Sequence, residues 1–226
     1  MTGDLVQLTA FTLACAALST LVALPFGIAL AWWLARGGSR GRALVETLVT
    51  LPLVMPPVAT GLILLQLLSP NGPIGAALQR VGIEIVFTWR AVVVAMALMG
   101  LPLLVRTARA GFEHVDPRYE QIARTLGATP TRAFLSVTLP LATRSLVAGA
   151  VLAFARSLGE FGATIMVAGS IPGRTRTLAT AIYTYAESGM DRQAIILLAI
   201  SAAVSFAAVF YSNRLLESWY STSTSR

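Results

Sequence analysis

The chain has 226 residues, of which 56% are hydrophobic and 12% charged, about half the charge of an average soluble domain. Its net charge of +7 comes entirely from arginine, because the sequence contains no lysine. Such basicity in a soluble protein would suggest nucleic acid, but no aromatic-and-basic reader motif is present, and arginine flanking apolar runs is what orients membrane proteins; the composition leaves an all-α integral membrane protein.

Leu5 to Ala35 form 31 consecutive residues without a charge, more than the roughly 20 that cross a hydrocarbon core. This predicts a first span over about residues 8–35, containing Pro25 and Gly27 and closed by Arg36, Arg40 and Arg42. The opening MTGDLVQLT lacks the basic region of a signal peptide, so the run is expected to be retained as a span. Cys15, the lone cysteine, can form no internal disulfide. A second span is predicted over about 47–68, with Pro52, Pro56 and Pro57 in LPLVMPPVATG. Each proline removes a backbone donor. Membranes tolerate this where a neighbour or a water-filled cavity satisfies the freed carbonyls, so a packed kink and a transport pathway both remain open here. A third span covers about 89–109, and a fourth covers about 145–168 with the stretch FARSLGEFGAT. The fifth, about 193–213, precedes a Ser/Thr-rich tail expected to be disordered. All five spans belong to one domain over residues 1–226.

Arginine counts orient these spans. With the N-terminus outside, eleven arginines fall inside: positions 36, 40 and 42, six between 106 and 144, and 214 and 226. Five fall outside (Arg80, Arg90, Arg174, Arg176 and Arg192), and Arg156 lies within the membrane. The predicted topology is N-out, C-in.

Between the third and fourth spans lies a polar stretch over 110–140, which includes DPRYEQIARTLGATPTRAFLSVTLP. Asp116 suits an N-cap and Pro117 the first helical position, while Glu120 lies near the positive helix end. Tyr119, Ile122, Ala123 and Leu126 recur with helical period as one apolar face. Gly127 terminates the helix, and Thr129-Pro130 restarts another, which gives a helix-turn-helix at the inner surface. The polar face mixes Glu120, Gln121 and Arg124, which fits protein docking better than anionic lipid.

This stretch resembles the coupling loop of ABC importer permeases, whose pattern is Glu-Ala-Ala, three residues, Gly, nine residues, Ile, one residue, Leu-Pro. Gln121-Ile122-Ala123, Gly127, Val137 and Leu139-Pro140 match its spacing, with Gln, Ile and Val as departures. The resemblance implies that Glu120, Gln121, Ala123, Arg124, Thr125, Leu126, Gly127 and Pro140 couple to an ATPase. FARSLGEFGAT, GSIPGRTRTLATAIYT, LPLVMPPVATG and FTWRAVVVAMALMGLPLLVR are similar to the membrane subunit of bacterial molybdate importers. Gly-Glu-Phe-Gly is shared with sulfate-type permeases, so sulfate, thiosulfate or tungstate transport is the alternative. The likeness implies a type I importer fold in the bacterial inner membrane and a homodimer with the pathway at its interface. It also implies two ATPase subunits, which use ATP and Mg, and an extracytoplasmic molybdate-binding protein. No cofactor and no nucleic acid is implied for this chain.

Pathway or interface positions under this reading are Pro56, Pro57, Thr60 and Gly61 on the second span, and Arg156, Gly159, Glu160, Gly162 and Thr164 on the fourth. Arg174 and Arg176 would meet the binding protein. Arg156 and Glu160, four residues apart, are predicted on one helical face near the bilayer midplane, where an unpaired arginine costs about 2.5–3.5 kcal/mol. Gly159 and Gly162 beside them would let another backbone approach. Two roles stand for the pair, aid and restraint to a passing anion, or structure alone.

The absences agree with a non-catalytic chain. A P-loop needs the lysine that this sequence lacks, the only histidine is His114, which excludes a His-Glu-x-x-His zinc site, and no aspartate falls in a predicted span.

Overall fold

The computed structural model describes residues 2–37 and 41–223. Arg40 and Arg226, both used to predict orientation, lie outside them. Among the described residues all regular structure is helical. Helix α1 (Thr2–Ala35) is the first span and continues through Pro25.

The second span is not one helix. It divides into α2 (Gly41–Val54) and α3 (Pro57–Leu68), bent by 114°. The cause is local: Pro56 and Pro57 supply no N–H to the carbonyls one turn before them. Pro56 takes an extended conformation at ψ 129°, and Pro57 starts α3 as its first residue. A short helix unanticipated from the sequence, α4 (Pro73–Gln79), leads to α5 (Trp89–Glu113), the third span. Thr88 caps α5, its hydroxyl accepting from the Arg90 N–H at 3.2 Å.

After α6 (Pro117–Thr125), the chain re-enters helix as α7 (Pro130–Ala133). A π-helical turn over Phe134–Thr138 then joins α7 to α8 (Leu139–Leu158) with no gap. The fourth span therefore does not begin near 145 as predicted: Pro140 sits in the first turn after the π segment, and the second arm of the hairpin is the start of that span. That span ends early at Leu158 and resumes as α9 (Gly162–Ala168). Next come α10 (Leu178–Glu187), also unanticipated, and α11 (Asp191–Ser223). Because α11 runs to Ser223, the tail predicted as disordered is helical up to that residue.

Helix α5 is the core of the bundle: 61% of its most apolar window is buried, against 11% for α11. Helices α1 and α8 pack along it. Small residues set the spacing, as a Cβ on Gly100 would lie 3.0 Å from the Ala153 carbonyl oxygen and one on Gly111 2.3 Å from Ser145 Cβ. With no solvent to drive apolar helices together, such close approach is what binds them. Buried Ser157 fastens the three helices, lying 3.2 Å from the Met96 carbonyl oxygen on α5 and accepting from Ser19 Oγ on α1 at 3.3 Å. Cys15, also buried, belongs to the same core.

Candidate functional site

The breaks in the second and fourth spans lie against each other. A Cβ on Gly162 would lie 2.7 Å from Pro57 Cβ, and one on Gly61 2.7 Å from Ala163 Cα. Helices α3 and α9 therefore touch backbone to backbone, and glycine at 61 and 162 makes this contact possible. A Cβ at Gly159, by contrast, would meet nothing within 4 Å in this chain. Gly159 is the residue on which α8 ends.

Arg156 and Glu160 pair as predicted, Nη1 to Oε2 at 2.8 Å, but not along one helix. Glu160 lies beyond the end of α8, in the break, and its other oxygen accepts the Ala163 N–H at 2.8 Å. One carboxylate thus ties the end of α8 to the first turn of α9, leaving neither of its oxygens free. The Glu160 side chain is 1% exposed and that of Arg156 25%. The acid is inside the fold and the guanidinium reaches toward its surface. The α9 end is anchored separately, where Phe87 donates its N–H to the Val167 carbonyl at 3.1 Å.

Pro56 and Pro57 are exposed at the bend, while Thr60, Gly61 and Thr164 are buried. The hydroxyls of Thr60 and Thr164, which flank the Gly61–Ala163 contact, find no hydrogen-bond partner among the described residues. Other buried threonines are engaged, as Thr20 is by donating to the Ala16 carbonyl at 2.9 Å.

At the other candidate site, α6 forms as its sequence predicts. Asp116 accepts the Arg118 N–H at 2.9 Å. Gly127 takes φ +89°, and the Ala128 N–H closes the turn on the Ala123 carbonyl at 3.0 Å. The apolar face is uncovered: Tyr119, Ile122 and Leu126 are all exposed, Leu126 at 83%. Gln121, Arg124 and Thr125, with Ala128 and Pro130, line a surface notch of about 460 Å³. Glu120 does not join them. It turns inward, forming an ion pair with Arg36 at the end of α1 and accepting from Thr138 Oγ1 at 3.1 Å. The spacing of Arg36 and Glu120 in sequence gave no sign of this pair.

The opposite end of the bundle carries two cavities, of about 600 and 580 Å³. Arg174, Gly173 and Phe11 line both of them. Arg90 and Glu84 also line the first, and Asp4 and Arg176 the second. The two predicted contact arginines differ. Arg174 is exposed, whereas Arg176 is tied to Ser170, its Nε donating to the hydroxyl at 3.2 Å and Nη2 to the carbonyl at 3.3 Å.

A central helix triplet, two broken spans packed at their breaks, and an uncovered amphipathic helix at one end make a recognisable combination. Residues 23–222 match the family described as binding-protein-dependent transport system inner membrane component. The chain belongs to this family. The permease is 46% identical to the molybdenum transport system permease protein ModB of Escherichia coli K12, over 86% of this chain and 88% of that one. It is 38% identical to the sulfate transport system permease protein CysT of the same organism, over 84% of this chain and 69% of that one. Among solved structures, a bacterial ABC transporter that imports the acidic polysaccharide alginate shares its fold with a TM-score of 0.72 at 20% identity, covering 95% of this chain and 79% of that one. The permease is thus an inner-membrane transport component of the type I importer fold, and its family works with a separate binding protein.

Proposed function

We propose that the permease moves molybdate across the bacterial inner membrane by alternating access, as a homodimer with two ATPase subunits and an extracytoplasmic molybdate-binding protein. The observation that carries this reading is the 46% identity to ModB along nearly the whole of both chains. The N-terminus lies outside and the C-terminus inside, as the arginine distribution favours. The α6 hairpin then faces the cytoplasm, where its bare apolar face and adjoining notch suit a groove on an ATPase. ATP and Mg bind to that partner, since this chain lacks the lysine of a P-loop.

The pathway runs past the paired helix breaks. Pro56, Pro57 and the partly accessible Arg156 are its candidate lining, and Gly61, Gly162 and Glu160 hold the two breaks together. A dianion loses its hydration on entering the membrane, so a cation near the midplane lowers that cost. Neutralisation of Arg156 by Glu160 keeps the attraction weak enough for release. Arg174 offers the binding protein a cation between two cavities.

The test is reconstitution in liposomes with the cognate ATPase and binding protein, with ATP-dependent uptake of molybdate, tungstate, sulfate and thiosulfate compared. Molybdate uptake is expected to dominate. Uptake of sulfate without molybdate would establish the second reading, which the 38% identity to CysT supports.

A further inference from the structure

We infer that Glu120 is a positioning residue of the coupling hairpin, acting through Arg36 and Thr138 and not through contact with the ATPase. This rests on the reading of α6 as the ATPase-facing element. A carboxylate presented to a partner should be exposed and unengaged, yet the Glu120 side chain is 15% exposed and both of its named contacts lie within the chain. Those contacts lead to two different elements. Arg36 sits just past the end of α1, with its guanidinium 5.7 Å from the Trp32 ring centroid. Thr138, 1% exposed, closes the π-helical turn that feeds α8. The two routes meet again, since Trp32 packs edge-on against Phe134 of the same turn at 5.2 Å, and Phe134 lies 6.1 Å from Phe112 near the end of α5.

One side chain of α6 therefore grips the end of α1 and the turn that feeds α8 directly, and the end of α5 is reached from Arg36 through the Trp32–Phe134–Phe112 ring contacts. Gln121, Arg124 and Thr125 on the same helix stay exposed and free to meet a partner. A π turn is a locally underwound, wider stretch of helix of the kind frequently found at functional sites. Motion imposed on α6 would thus be delivered to α1 and to the π turn together.

The experiment uses the complete complex and reads the stimulation of ATP hydrolysis by the binding protein, alongside ATPase co-purification. Neither readout depends on which oxyanion is transported, so a wrong substrate would leave the result intact. Glu120→Gln and Arg36→Met are each expected to reduce stimulation about fivefold or more, the lower range of allosteric coupling, while keeping the ATPase bound. Thr138→Val is expected to fall between them and wild type. The exchanged pair Arg36→Glu with Glu120→Arg is expected to recover most of the stimulation, which a general loss of stability would not allow. Two outcomes overturn the inference. One is loss of ATPase co-purification on changing Glu120 but not Arg36, which would place the carboxylate at the subunit interface. The other is wild-type stimulation in both single variants.

Discussion

At the scale of single residues, the contact between α3 and α9 makes sharp distinctions among glycines that look alike in sequence. Gly61→Ala would place a methyl 2.7 Å from Ala163 Cα, and backbone cannot yield as a flexible side chain does. Overpacking of this kind costs about 1–3 kcal/mol, so a clear fall in Tm is expected for the purified permease. Gly159→Ala, which meets nothing within 4 Å, should leave Tm nearly unchanged. The orphaned hydroxyls predict the reverse sign. An unsatisfied buried polar group costs about 1–3 kcal/mol, so Thr60→Val and Thr164→Val should raise Tm in the same assay. Glu160→Ala strips the partner from Arg156 and the acceptor from the Ala163 N–H together. Breaking a buried pair costs about 3–5 kcal/mol, and the double variant Arg156→Leu with Glu160→Leu should cost less than the single one.

Among the elements, the α2–α3 bend and the α6 turn depend on backbone chemistry that substitutions can separate. Replacing Pro56 and Pro57 with alanine restores two amide donors and allows α2 to run on into α3. Transport is expected to fall about tenfold or more, the factor that 1.4 kcal/mol of altered equilibrium produces, with ATPase binding retained. At Gly127, φ +89° with open space around it makes any penalty purely conformational. Gly127→Val should weaken ATPase co-purification more than Gly127→Asn, since asparagine tolerates the left-handed region. Much of this level was legible beforehand. Asp116, Pro117, Gly127 and Thr129 announced the hairpin through caps and breakers, and uncharged length announced the spans. The π turn was hidden because Phe134–Thr138 has no residue that forbids an ordinary helix. The break at Gly159–Phe161 was read through for a similar reason, its glycines having been credited to close packing alone. Helices α4 and α10 are too short for periodicity to stand out. Pairing of Arg36 with Glu120 spans 84 residues, beyond any local rule.

For the whole molecule, Arg109 and Arg174 at the two ends have different surroundings. Arg109 of α5 bonds Glu46 of α2 and Glu113 of its own helix, each at 2.6 Å, and so locks α5 to α2. At the other end Arg174 stays exposed on the shared wall of two cavities. Arg174→Glu is therefore expected to weaken stimulation by the binding protein and its dependence on ionic strength, with Tm unchanged. Arg176→Glu should lower Tm instead, because it loses Ser170.

The 114° bend has a consequence for the surrounding lipid. Helix α2 has 14 residues and α3 has 12, lengths of about 21 and 18 Å at 1.5 Å per residue, against a hydrocarbon core of about 30 Å. Neither half reaches across, and the angle between them shortens their joint span further. Where this segment borders the membrane, acyl chains must compress to meet it. Bilayer thickness thereby becomes an input to the transport cycle, and turnover in vesicles of graded chain length should peak at short acyl chains and decline as the membrane thickens.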